Sequence, residues 1–193
     1  MIRLHLRARG VPAFAAGLLV VAALVATAMR FLATRPFFDP VEARTPVLAV
    51  GPLLAAMLLG PTLAGADEWL ERGVPVPWRL IRTGHLAAAV TITAGLLALA
   101  GHGDAALIRN TLGCVGLVAA GAALIGTRLA WLPVLAYVCA VYAAAPPLDG
   151  GPAQIWAWPV QPSTAPLAWW PVLAVFTAGT ALYVLRGARA DGA

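Results

Sequence analysis

Between Val11 and Leu185 the chain holds six stretches of 18 to 22 residues with no Asp, Glu, Lys or Arg inside them: Val11–Met29, Thr45–Ala66, Thr83–Gly101, Asn110–Thr127, Leu129–Leu148 and Leu167–Leu185. A helix of about 20 apolar residues is as long as the hydrocarbon core of a bilayer is thick. The expected fold is therefore all-α: a polytopic membrane protein with six transmembrane helices, forming a single transmembrane domain over residues 1–193. Little more than Arg128 separates the fourth and fifth stretches. One merged helix of about 39 residues would extend nearly 60 Å, twice what a bilayer accepts, so a tight hairpin is predicted there.

Composition agrees. Hydrophobic residues make up 61% of the chain and charged residues 11%, and mean hydropathy is +0.85. A soluble domain needs about 25% charged residues to cover its surface. The net charge of +5 comes from arginine alone, because the chain has no lysine. The arginines stand at the ends of apolar runs and form no nucleic-acid-binding patch, so topological anchoring is the expected role. With the N-terminus inside, nine arginines (3, 7, 9, 72, 79, 82, 128, 186 and 189) fall on the cytoplasmic side and four (30, 35, 44 and 109) outside. The positive-inside bias then places both termini in the cytoplasm. The bias to Ala, Gly and Arg is that of a high-GC bacterial genome and predicts a multi-pass protein of the bacterial plasma membrane. The basic start, apolar run and Ala26-Thr27-Ala28 resemble a cleavable signal; we read a retained first span.

Charge is concentrated in one place, ADEWLERGVPVPWRLIRTGHL at residues 66–86. On a helix, Ala66, Trp69 and Leu70 share one face, while Asp67, Glu68, Glu71 and Arg72 take the opposite arc. Glu68 and Arg72 form a favourable i,i+4 pair. Gly73, Pro75 and Pro77 end this helix and begin the next. Residues 66–82 thus read as a short amphipathic cytoplasmic helix, a turn and a basic lead-in to the third span. It rests on the lipid interface or docks a cytoplasmic partner.

The outer connection between the fifth and sixth spans runs PPLDGGPAQIWAWPVQPSTAPLAWW, with six prolines, four of the seven tryptophans and no basic residue. Proline forbids a continuous helix, and tryptophan favours the membrane interface. Short segments at or in the outer leaflet are expected over 146–166, where irregular backbone must be covered by protein or line a cavity. In the fourth span, Gly113, Gly116, Gly121 and Gly126 permit close helix packing without a strict GxxxG.

Groups that do chemistry are sparse. No carboxylate lies within a span, which argues against an ion-coupled transporter. Without lysine there is no P-loop. The one serine, Ser163, has no GxSxG around it, and His5, His85 and His102 form no HExxH. Catalytic residues, a metal site and a cofactor bound by this chain are not expected. Cys114 and Cys139 read as buried thiols, and Asp149 as a turn residue. His102 and Asp104 are neighbours at the outer face, too few to define a site. Arg109 and the sole asparagine, Asn110, open the fourth span as outer-face polar residues. Arg109 caps a pathway, binds an acid such as Asp104 or Asp149, or, most plainly, snorkels to water.

In layout, and in ADEWLERGVPVPWRLIRTGHL, IRNTLGCVGL and WAWPVQP, the chain resembles the membrane (permease) subunit of a type-2 ATP-binding-cassette exporter, of a small actinobacterial kind. The resemblance implies a separate P-loop ATPase subunit holding ATP and Mg. It implies a coupling helix over Asp67–Arg72, with Asp67, Glu68, Glu71 and Arg72 facing the ATPase and Trp69 and Leu70 packed on the bundle. It implies an outer re-entrant hairpin including Trp156, Trp158 and Pro159. It also implies a second permease copy or paralogue, and a hydrophobic or amphipathic cargo. The family's amphipathic helix before the first span is not matched, since IRLHLRARG alternates with period two. The competing expectation is a non-transporting scaffold or accessory subunit of a larger membrane complex.

Overall fold

The structure is a computed structural model that describes residues 10–35, 40–64, 77–144 and 151–189. These residues form helices and no strand. In chain order they are α1 (Val11–Ala33), α2 (Pro40–Leu59) running into a 3₁₀ turn (Gly60–Leu63), α3 (Trp78–Ala100), α4 (Ala105–Ile125), α5 (Trp131–Ala144), the four-residue α6 (Ala153–Trp156) and α7 (Trp169–Arg186). Four stretches are long and apolar enough to cross a membrane: Val11–Ala33, Ala43–Leu63, Trp78–Ala100 and Ala105–Ile125. The chain is a membrane-embedded helical bundle. α5 is apolar but has only 14 described residues, about 21 Å of helix. α7 opens on Trp-Trp-Pro and closes on Arg186, which dilutes its apolar character.

Contacts set the order of ends. Near its start α1 meets the end of α2, where Gly17 lies against Leu58. Met29 and Ala33, near the end of α1, share a cleft with Arg44 at the start of α2 and with the α3–α4 turn. Successive helices therefore run up and down. α4 is the central post: it packs on α2, α3, α5 and, most extensively, α7. Two thirds of its apolar window is buried, against about a third for α1 and α3.

The glycines of α4 each serve a different neighbour. A Cβ on Gly113 would collide with the Trp158 ring. One on Gly116 would lie 2.6 Å from the Phe176 Cα on α7, and Gly179 of α7 faces the Gly116 carbonyl just as closely. Gly121 abuts the Ala130 backbone across the α4–α5 hairpin. Gly126 ends the helix with φ +94°, a conformation open to glycine and strained for other residues. This is close packing within one chain, where small residues let helix backbones meet.

The boundaries differ from the apolar runs for local reasons. α4 starts five residues ahead of Asn110 because Asp104 is its N-cap, its Oδ1 accepting from the Ala106 N–H at 2.9 Å. α3 starts at Trp78, directly after Pro77, so Arg79 and Arg82 lie within its first turns.

Candidate functional site: a buried arginine–asparagine staple

Because α4 begins at Ala105, Arg109 and Asn110 occupy its second turn. Both are fully buried. This corrects the expectation that Arg109 snorkels to water or pairs with an acid: among the described residues it forms no ion pair. Its guanidinium instead collects backbone carbonyls of the Pro/Trp-rich segment. Nη1 donates to Pro162 O at 2.9 Å, and Nη2 to Trp158 O at 3.0 Å and Gln161 O at 2.6 Å. Nε donates to Asn110 Oδ1 at 3.2 Å. The planar fork of arginine suits several convergent acceptors, and a buried guanidinium is tolerable only when so paired.

Asn110 completes the staple. Its Nδ2 donates to Pro159 O at 2.8 Å and to Leu48 O on α2 at 2.9 Å. The second bond has a cause in the sequence. Pro52 lies inside α2, four residues after Leu48. Proline has no N–H, so the Leu48 carbonyl loses its helical donor, and Asn110 supplies one. Four carbonyls between Trp158 and Pro162 are thus held by two adjacent side chains of α4.

The segment they hold is buried from Ala157 to Gln161. Trp158 is 2% exposed and lies on Gly113. Tyr137 of α5 packs on it, with ring centroids 5.4 Å apart and planes tilted by 31°, while the Tyr137 hydroxyl donates to Trp156 O. Val141, Ala157 and Val160 form a small apolar cluster beside Tyr137. Trp158 and Pro159 are therefore core residues, whereas Trp156 is 45% exposed. Irregular backbone here is covered by protein, as apolar surroundings require.

At the opposite end, the described residues on either side of 65–76 are tied down. Tyr183 Oη of α7 donates to Leu63 O at 3.0 Å. Thr62 Oγ1 and His85 Nε2 lie 3.2 Å apart. After α7, the Arg189 backbone N–H donates to Ala122 O at 2.8 Å and its Nη1 to Leu124 O at 3.1 Å, capping α4. The predicted docking residues Asp67, Glu68, Glu71 and Arg72, with Trp69 and Leu70, lie outside the described residues, as does Asp149. Among the described residues no three His, Cys, Asp or Glu side chains converge as metal ligands. Cys114 is buried and Cys139 exposed, both as free thiols.

Sequence reasoning placed Arg109 and Asn110 at the outer face and missed that they act together on the Pro/Trp segment. The usable signal was the sole asparagine of the chain beside an arginine, with an intrahelical proline on a neighbouring span. No protein-family model, curated protein or solved structure matches the chain.

Proposed function

We propose that the chain is the membrane subunit of an ATP-driven exporter in the bacterial plasma membrane. In this reading it has six spans with both termini cytoplasmic, and it docks a separate P-loop ATPase through Asp67, Glu68, Glu71 and Arg72. The observation that carries the reading is that, among the described residues, α4 is held by polar contacts at both ends of the bundle. At one end its Arg109 and Asn110 hold the Pro/Trp segment. At the other, its last carbonyls are held by Arg189, just beyond α7. α7 in turn holds Leu63, the last residue of the 3₁₀ turn, two residues before segment 65–76. A push on that segment reaches α7, crosses to α4 at the Gly116–Gly179 contact and arrives at the outer Pro/Trp segment as a rigid-body shift. The outer segment then acts as the gate, opened when the partner hydrolyses ATP.

Because α4 fills the middle of one copy, the pathway lies between two copies, or between this chain and a paralogue. Its apolar walls suit a hydrophobic or amphipathic cargo. The filled centre also suits a second reading, a non-transporting scaffold within a larger complex. One experiment separates them: affinity purification of the full chain from its native host in mild detergent, with Glu68→Arg/Glu71→Arg alongside the parent. The exporter reading expects a stoichiometric P-loop ATPase with the parent and its loss with the double variant. Membrane proteins alone, without an ATPase, would leave the scaffold reading standing.

A further inference from the structure

A second polar feature lies at the staple's end of the bundle and makes none of the staple's hydrogen bonds, although its Asp104 also acts electrostatically on Arg109. It is an open cleft of about 660 Å³ between the end of α1, the start of α2, the α3–α4 turn and the residues just after Gln161. Its polar lining is Arg44, His102, Asp104, Ser163 and Thr164, with Met29 on the apolar side. Three observations single it out. First, Arg44 and Asp104 line the same cleft yet form no ion pair with each other, and the Arg44 guanidinium donates to none of the described residues. Second, Arg44 is only half-exposed, so its charge is partly withdrawn from water with no partner among the described residues. Third, His102 sits between two glycines with φ +59°, the one non-glycine residue with positive φ among the described residues. Such a backbone costs free energy and clusters at functional sites. The hydroxyls of Ser163 and Thr164 make no hydrogen bond to the described residues.

We propose that this cleft binds a phosphate-bearing zwitterion, with the phosphate on Arg44 and the Ser163 and Thr164 hydroxyls and the ammonium on Asp104. A guanidinium and two hydroxyls are a donor set for phosphate oxygens. Asp104 commits Oδ1 to the Ala106 N–H and keeps its second oxygen for a cation. An unclosed pair of opposite charges facing one cavity fits a ligand carrying both signs better than a simple anion. Met29 and Ala33 border the cleft on α1 and give it an apolar side. Two sources share this chemistry, a phospholipid headgroup and a soluble phosphoethanolamine-type ester. The proposal stands whether or not an ATPase docks at the other end.

The test uses the full chain purified in mild detergent. Binding of phosphatidylethanolamine, phosphatidylglycerol and diacylglycerol is measured by native mass spectrometry, and thermal stabilisation by phosphoethanolamine in parallel. The variants are Arg44→Gln, Asp104→Asn, which keeps the helix cap while removing the charge, and Arg30→Gln as a control outside the cleft. The expected result is preference for phosphatidylethanolamine over the other two lipids. Arg44→Gln should weaken its binding roughly tenfold, Asp104→Asn should abolish the preference over phosphatidylglycerol, and Arg30→Gln should change neither. Stabilisation by phosphoethanolamine that is lost in Arg44→Gln identifies the soluble ester as a sufficient ligand; binding of the lipid alone identifies the membrane as the source. Equal lipid binding by Arg44→Gln and the parent, or an unchanged lipid preference in Asp104→Asn, overturns the proposal.

Discussion

The bond between Asn110 and the Leu48 carbonyl exists, on the reasoning above, because Pro52 cannot supply one. That account can be tested by a double-mutant cycle. Asn110→Ala leaves two buried carbonyls, Leu48 and Pro159, without their donor. A buried acceptor stripped of its partner costs about 1–3 kcal/mol, while side-chain hydrogen bonds inside membrane bundles average about 0.6 and reach about 1.7 kcal/mol. The single change should therefore cost about 1–4 kcal/mol. Pro52→Ala returns an N–H to the α2 ladder, aimed at Leu48 O. In the parent that carbonyl is already satisfied; in the Asn110→Ala background it is not. Pro52→Ala should therefore help the Asn110→Ala chain by about 1 kcal/mol more than it helps the parent. Losses from the proline's own packing are common to both backgrounds and cancel. Thermal unfolding of the purified chain in detergent reads this as about 2–4 °C at this chain length. Additivity within about 0.5 kcal/mol would refute the link from Pro52 through Leu48 to Asn110.

Further outcomes follow from the packing of α4. Gly113→Ala should lower stability by about 1–3 kcal/mol through overpacking against Trp158, and much less in a Trp158→Ala background, as compared by thermal unfolding of the four chains. Gly179→Leu drives a side chain into the Gly116 backbone and should prevent α4 and α7 from packing; a cysteine pair across this contact that still cross-links in the variant would contradict that. Cys114 should resist an apolar maleimide until the chain is unfolded in SDS, whereas Cys139 reacts in mild detergent; equal labelling rates would show that α4 is not the buried post described.

Uncharged apolar length made the helical, membrane-embedded class legible, because few residue patterns satisfy a bilayer. Each of the six runs contains the body of a helix, and the short spacer around Arg128 did become a tight turn, running from Gly126 to the start of α5 at Trp131. Boundaries and burial were less legible. Asp104 was read as a loop acid when its place before Ala-Ala made it an N-cap, and that five-residue shift moved Arg109 from the rim into the second turn. Trp158 was read as an interfacial residue from its type, but its setting depends on Gly113, 45 residues earlier. Periodicity along one helix carries no information about such a contact. The same holds for Leu48 and Asn110, whose bond is a consequence of a proline on one span being met by an amide on another.

A buried Arg109 and a proline-broken segment solve each other's problem. Pro159 and Pro162 remove two donors from the segment; among the described residues the Trp158, Pro159 and Gln161 carbonyls take no backbone N–H, while Pro162 O also accepts from Ala165 N–H, and a guanidinium away from water needs several acceptors. Structural necessity alone could therefore maintain the staple, which makes Arg109→Lys the informative change. An ammonium keeps the charge but lacks the planar fork that reaches Trp158, Gln161 and Pro162 together. In either reading the variant should lose at least about 1.5 kcal/mol of stability, one charge-assisted hydrogen bond's worth. In a scaffold nothing else would change. In an exporter the outer segment is the gate, so the same variant should also leave ATP hydrolysis by the docked partner running without cargo efflux. Reconstituted vesicles measure both quantities on one sample. Hydrolysis and efflux that fall together, in proportion to the folded fraction, would reduce the staple to architecture and remove the gate from the mechanism.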